Sequence, residues 1–167
     1  MKIIELLNRC EYLYLRGEYE ELIGACDDLL EADKDNPIAL RFKGIAYCYL
    51  HDYKRALEVS DYALGIYPKN YYLMNNKALV FLALGNYEKA LEYCNRGLEI
   101  KYYCRLIENK IKALIALDRI SEAKEFHYYN EKNLYDSFLD FMLKCKKDHE
   151  FLKICNKQIE KTLMISG

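Results

Sequence analysis

The sequence predicts an all-α solenoid, a row of antiparallel helical hairpins stacked side by side in one domain. A six-residue motif recurs along the chain at steps of 34, 34 and 33 residues. Between its copies, apolar residues recur at the spacing of one helix face. The chain contains only 7 Gly and 2 Pro, which disfavours an all-β or loop-rich fold. These observations predict four hairpin units followed by a C-terminal helical cap.

The recurring motif marks the turn inside each hairpin and the start of its second helix. Its copies span residues 17–22 (GEYEEL), 51–56 (HDYKRA), 85–90 (GNYEKA) and 118–123 (DRISEA). They set the four units at about residues 3–36, 37–70, 71–103 and 104–132. Each unit has a first helix before the motif and a second helix after it.

Two asparagines predict where first helices begin. Asn36 precedes Pro37, and an asparagine cap followed by proline at the first helical position is a favoured helix start. Asn70 holds the equivalent position before the third unit. The first helices of these two units are therefore predicted to begin directly after Asn36 and Asn70.

The first residue of each motif is predicted to end a first helix in the left-handed conformation. Gly17 and Gly85 accept a positive φ without steric cost. His51 and Asp118 occupy the same position in the other two units, and both residue types tolerate a positive φ better than most. We therefore expect the same turn in all four units.

The units resemble the tetratricopeptide repeat family, whose period is about 34 residues. The family places a large apolar, a small and an aromatic residue along the first helix, and a small residue early in the second. Those positions hold Leu40, Gly44, Tyr47 and Ala56 in the second unit, and Met74, Ala78, Phe81 and Ala90 in the third. The resemblance implies a right-handed superhelix whose first helices line a concave, partner-binding surface.

Two departures from the family pattern concern packing. Gly97 lies in the middle of a predicted second helix, where the second unit has Ala63, so alanine is expected to fit at position 97. Basic residues stand where the family often has leucine. Their alkyl stems are expected to cover apolar surface while the charge reaches water, at Arg9, Lys43, Lys77 and Lys110.

The C-terminal segment, residues 133–166, carries no clear copy of the motif. Its apolar spacing predicts a degenerate fifth hairpin with helices at 133–146 and 148–164. The alternative is one solvating helix and an arm that packs elsewhere. Because the last repeat of a solenoid needs covering, we expect this segment to cap the fourth unit rather than fill the concave groove.

Motifs that carry catalysis or bind cofactors are missing from the sequence. No glycine-rich phosphate loop and no G-x-S-x-G element occurs, so the chain is predicted not to be an enzyme and to need no cofactor. Cys145, His149 and Cys155 could be drawn as metal ligands, yet a surface histidine and core cysteines explain them better. No catalytic or metal-binding residue is therefore assigned.

Charge and cysteine content exclude further classes of function. The net charge of −1 provides no basic field for a nucleic acid or an acidic membrane. No apolar run approaches the roughly 20 residues that span a bilayer, and the opening segment is not a signal peptide. Seven cysteines without a C-x-x-C pair favour reduced core thiols in a cytoplasmic protein.

The resemblance assigns partner binding to the exposed face of the first helices. Tyr14 and Leu82 project onto this face. The side chains selected for partner binding are Arg41, Phe42, Ile45, Tyr49, Tyr72, Asn75, Asn76, Leu79, Arg105, Asn109 and Lys112. The apolar members are expected to form a contiguous exposed patch in a groove, together with Leu82. The asparagines are expected to hold an extended peptide by its main chain.

Some family members hold the free C-terminal carboxylate of a partner with a small set of polar residues. Arg41, Asn76 and Arg105 match part of that set, whereas Ile45 and Asn109 depart from it. The predicted function is a scaffold that binds a peptide or helix of a partner protein on the concave face. The alternative is a homo-oligomerisation module that uses the apolar groove or the C-terminal helices.

Overall fold

The computed structural model describes residues 2–130, apart from the side chains of Lys124 and of residues 127–130. Eight helices and no strand occur in this part of the chain. They are α1 (Lys2–Arg16), α2 (Tyr19–Ala32), α3 (Pro37–Tyr49), α4 (Tyr53–Ile66), α5 (Tyr71–Ala83), α6 (Tyr87–Ile100), α7 (Cys104–Ala116) and α8 (Ile120–Asn130). None of these helices is long and apolar enough to cross a membrane. The predicted C-terminal hairpin, with Cys145, His149 and Cys155, lies outside the described residues.

The helices stack as consecutive hairpins, which confirms the predicted all-α solenoid. Each helix packs against the next one in the chain. Each first helix also contacts the first helix of the following unit, α1 with α3, α3 with α5, and α5 with α7. The small residues early in three second helices are fully buried: Ala56, Ala90 and Ala123. The four first helices therefore form one continuous surface.

The turn inside each hairpin contains the predicted left-handed residue. The φ angles are 73° at Gly17, 62° at His51, 69° at Gly85 and 63° at Asp118. In the second unit the N–H of His51 donates to the Cys48 carbonyl, and the N–H of Asp52 donates to the Tyr47 carbonyl. Because these bonds satisfy helix-terminal carbonyls, histidine and aspartate replace glycine without changing the turn.

The first helices differ in how they begin. Asn36 and Asn70 each accept two main-chain N–H bonds with the side-chain oxygen and cap α3 and α5, as predicted. Tyr103 precedes α7 and makes no side-chain capping bond. The connection before α7 spans residues 101–103, one residue fewer than the connections before α3 and α5. This missing residue accounts for the 33-residue step in the repeat.

The short connection is accompanied by a close approach of α6 and α7 at Gly97. A Cβ atom on Gly97 would lie 2.6 Å from Cδ1 of Leu106 and 3.2 Å from its Cδ2. Leu106 is fully buried, so its side chain has little free space to move into. The expectation that alanine fits at position 97 is therefore wrong. Ala63 is accommodated in the second unit, where the connection is one residue longer.

Two lysines of the repeat join neighbouring units through ion pairs. Lys43 pairs with Asp27, and Lys77 pairs with Asp61, in each case on the second helix of the preceding unit. Lys77 is only 5% exposed, and its Nζ lies 4.5 Å from the ring centroid of Tyr93. The expectation that the charge reaches water is therefore wrong for Lys77, because a carboxylate and an aromatic ring take the place of water.

Candidate partner-binding pocket

A pocket opens between the first helices, with a volume of about 130 Å³. Its lining residues are Tyr14, Arg41, Phe42, Ile45, Tyr72, Asn75, Asn76, Tyr103 and Arg105. Sites for drug-sized ligands enclose about 300–1,000 Å³. The pocket is therefore of a size for one side chain or the end of a peptide.

The pocket brings together seven of the eleven side chains that the sequence selects for partner binding. Those that do not line it are Tyr49, Leu79, Asn109 and Lys112. Tyr14 lines it and lies on the projected face, although it is not in the selected set. Tyr103 is missed by the sequence reasoning, because the equivalent position in the two preceding units holds a capping asparagine. The one-residue shortening before α7 is the signal that could have singled it out.

Arg41 is held at the pocket by two aromatic rings. Its guanidinium carbon lies 4.3 Å from the ring centroid of Phe42 and 4.8 Å from that of Tyr72. Its main-chain carbonyl accepts a hydrogen bond of 2.8 Å from Nδ2 of Asn76, which ties α3 to α5. Rings at these distances attract the cation and limit its rotamers, so the guanidinium is positioned before any ligand arrives.

The two arginines of the pocket differ from the other arginines of residues 2–130 in having no carboxylate partner. The five that form ion pairs are Arg9, Arg16, Arg55, Arg96 and Arg119. Arg41 and Arg105 form none with any described residue. Among the described residues, no aspartate or glutamate lines the pocket either. The pocket therefore presents two guanidinium groups that form no direct ion pair with a described residue, although the carboxylate of Glu108 acts on Arg105 electrostatically.

Tyrosines form the remaining wall of the pocket. The rings of Tyr72 and Tyr103 meet edge to face with centroids 5.2 Å apart, and Tyr14 lies 5.2 Å from Phe42. A hydrogen bond with Tyr71 raises the pKa of Tyr72, and burial raises the pKa of Tyr103. Both phenols therefore keep their protons at neutral pH. The Tyr72 hydroxyl already donates to Tyr71, so Tyr103 is the phenol able to donate a hydrogen bond to an acceptor in the pocket.

The asparagines near the pocket join first helices to one another. Asn109 donates from Nδ2 to Oδ1 of Asn75 over 3.1 Å, and Asn76 donates to the main chain of α3. All three residues are at most 5% exposed. Several of their amide groups therefore form hydrogen bonds between helices. Fewer donors and acceptors remain for the main chain of a peptide than the sequence predicts.

The exposed apolar patch expected in the groove is largely absent from the described residues. Phe42 is 4% exposed, Ile45 7% and Leu82 3%, while Tyr49 and Leu79 are half-buried. Tyr49 stacks on Tyr19 with ring centroids 4.6 Å apart. The expectation of a contiguous apolar patch is wrong because neighbouring first helices and the side chain of Arg41 cover these groups.

Solved structures with the same arrangement of helices identify the fold. The first TPR domain of the human RPAP3 protein superposes with a TM-score of 0.64 at 19% identity, covering 74% of this chain and 95% of that domain. The chain has the tetratricopeptide-repeat fold. MamA from residue 41 to its end, from Desulfovibrio magneticus RS-1, gives a TM-score of 0.67 at 23% identity, covering 96% of this chain and 94% of that one.

The structure of an RS-1 MamA double mutant gives the same TM-score of 0.67 at the same 23% identity. Comparison with protein-family models found no match, and neither did comparison with curated proteins. At these identities the likeness establishes the fold, while the function is argued from the pocket.

Proposed function

We propose that this chain is a non-enzymatic scaffold that binds a partner protein through the pocket between its first helices. The proposal extends to the chemistry of the partner, a peptide segment that places a carboxylate between Arg41 and Arg105. The observation that carries it is the pair of arginines that form no ion pair with a described residue, at a pocket lined by no described aspartate or glutamate. Tetratricopeptide-repeat neighbours are consistent with a protein-binding role.

Charge and geometry favour a carboxylate over a neutral group. The guanidinium of Arg41 is partly withdrawn from water by Phe42 and Tyr72, and it offers planar donors that match a carboxylate. Tyr103 is able to donate a further hydrogen bond. Arginine and tyrosine are also the residue types enriched among those that dominate binding energy at interfaces.

Self-association is the alternative function. The burial of the apolar groove side chains argues against the groove as the interface between two copies. With the groove side chains buried, the largest exposed apolar groups of the first unit are on α1: Ile4 at 63%, Tyr12 at 57% and Leu15 at 76%. If α1 joins two copies, Leu15→Ser should convert a dimer into a monomer in light scattering. A chain that is already monomeric at all concentrations contradicts this alternative.

The proposed function is tested with dye-labelled acidic peptides that have free C-termini. Arg41→Gln and Arg105→Gln should each weaken binding of the tightest peptide by about tenfold, since a charge-assisted hydrogen bond is lost. Matched controls are Arg9→Gln and Arg96→Gln, which remove exposed arginines that are paired elsewhere. Measurement is by fluorescence anisotropy at low and high salt.

Three outcomes separate the possibilities. Binding that is lost when the peptide is C-terminally amidated assigns the pocket to a chain terminus, and binding that survives assigns it to an acidic side chain. Equal effects of the pocket variants and the control variants would show only a diffuse charge effect. Failure of every acidic peptide to bind the wild-type chain contradicts the carboxylate proposal.

A further inference from the structure

The first hairpin contains two cysteines in direct contact. Cys10 of α1 and Cys26 of α2 are both fully buried, and their Sγ atoms lie 3.9 Å apart. Both are free thiols. The equivalent pairs in the next two hairpins are Gly44 with Ser60 and Ala78 with Cys94. Among these three hairpins, only the first has a thiol on both sides.

This position is a place of close approach between the two helices of a hairpin. In the second hairpin, a Cβ atom built on Gly44 would lie 3.2 Å from Oγ of Ser60. A disulfide needs Cβ atoms about 3.5–4.5 Å apart. The repeat therefore places the two residues of this position in direct side-chain contact, and the sulfur atoms of Cys10 and Cys26, 3.9 Å apart, must approach by about 2 Å to bond.

We propose that Cys10 and Cys26 are an oxidation site that closes into a disulfide between α1 and α2 when a low-molecular-weight disulfide is present. In the first step the thiolate of one cysteine attacks a sulfur of glutathione disulfide, forms a mixed disulfide and releases one glutathione thiolate. In the second step the other cysteine, after losing its proton, attacks the bonded protein sulfur and releases the second glutathione. Two protein thiols are thereby oxidised, and one glutathione disulfide is reduced to two glutathiones.

The surroundings assign the order of attack. The Cys26 thiol donates a hydrogen bond to Sγ of Cys10, and this bond, with the positive charge of Arg9, holds the pKa of Cys10 below its usual value. The same contact and burial raise the pKa of Cys26. Arg9 stays beside Cys10 on α1 when the helix opens, so Cys10 is assigned as the attacking thiolate and Cys26 as the residue that resolves the mixed disulfide.

Access to these buried thiols requires α1 to separate locally from α2. Among the described helices, α1 makes its main contacts with α2 and α3, and local opening of single helices is a general property of folded proteins. Once formed, the bond joins α1 to its hairpin covalently. The inference does not depend on what the pocket binds, although α1 also supplies Tyr14 to the pocket wall.

The test uses the full chain with Cys104, Cys145 and Cys155 changed to serine, because Cys104 is exposed and competes for the oxidant. The protein is incubated with glutathione disulfide in excess over glutathione, acid-quenched, unfolded and alkylated. Peptide mass spectrometry should find the peptides of Cys10 and Cys26 linked, with loss of two hydrogen atoms. Cys48 and Cys94, which are buried and form no hydrogen bond with another described thiol, remain alkylated and serve as internal controls.

Two variants come from the repeat itself, so that a failure to fold does not obscure the result. Cys10→Ala copies Ala78 and should give no disulfide. Cys26→Ser copies Ser60 and should trap glutathione on Cys10. The oxidised parent should melt about 5 °C higher or more, and the shift should disappear with reductant. Recovery of both cysteines alkylated, or of stable glutathione on Cys10 in the parent, overturns the proposal.

Discussion

Replacing Gly97 with alanine tests the packing between the third and fourth units. On helix propensity alone, alanine in a helix interior should stabilise by about 0.5–1 kcal/mol. The new Cβ, however, would lie 2.6 Å from Leu106 Cδ1, and overpacking of this kind costs about 1–3 kcal/mol. The net expectation is a loss of about 1 kcal/mol in the free energy of unfolding.

The chain offers matched controls for this experiment. Gly24 in α2 and Gly65 in α4 are also helical and exposed, with nothing within 4 Å of an added Cβ. Alanine at either position should stabilise by about 0.5–1 kcal/mol. Urea denaturation followed by circular dichroism measures all three variants. If Gly97→Ala stabilises as much as Gly65→Ala, the close approach of α6 and α7 is refuted.

A second variant isolates the contact itself. Leu106→Ala should cost about 2–5 kcal/mol in the wild-type background because it leaves a cavity. In the Gly97→Ala background the added methyl group partly fills that space, so the two changes should couple favourably by about 1 kcal/mol. Strict additivity would show that the two residues do not touch.

Three further predictions concern single side chains, each measured by chemical denaturation. Ala90→Leu should destabilise by about 1–3 kcal/mol, since Ala90 is fully buried, and an unchanged midpoint would contradict its packing role. Ser60→Ala should stabilise by about 1 kcal/mol, because Oγ is buried and has no hydrogen-bond partner among the described residues, and a clear loss would reveal a bond. Burial raises the pKa of Tyr49 to about 12, above an unfolded value of about 10. The neutral phenol therefore stabilises the fold fully below pH about 10, and this contribution is lost as the pH rises from about 10 to 12. Tyr49→Phe should flatten that decline relative to the wild type, and parallel curves would contradict the assignment.

Helix boundaries could be predicted from the sequence because they rest on local hydrogen bonding. An asparagine side chain reaches the N–H groups two and three residues ahead, so Asn36 and Asn70 determine helix starts by themselves. The left-handed turns at His51 and Asp118 follow from the same kind of short-range constraint. Such features require no knowledge of what packs against them.

Side-chain burial in the groove could not be predicted in the same way. Helical periodicity assigns Phe42 and Leu82 to a face, but their exposure depends on how closely the neighbouring first helices approach. The place of Tyr103 in the pocket wall depends on the connection before α7 being one residue shorter than the equivalent connections. The effect of this shortening on side-chain position is evident only in the three-dimensional structure. The unpaired charge of Arg41 likewise became evident only when the carboxylates around it could be located.

The lysine–aspartate pairs imply an order in which the hairpins separate. Lys43–Asp27 and Lys77–Asp61 bind the first three units to one another, and in the second of these pairs the lysine is buried while Asp61 is exposed. Between the third and fourth units, the position equivalent to Asp27 and Asp61 holds Asn95. Lys110 forms no ion pair there with a described residue and instead has its Nζ 4.1 Å from the ring centroid of Phe126. In a one-dimensional array each joint contributes its own coupling energy. The third and fourth units are joined by the more exposed Arg119–Glu88 pair, so among the described hairpins this joint is expected to part first under force.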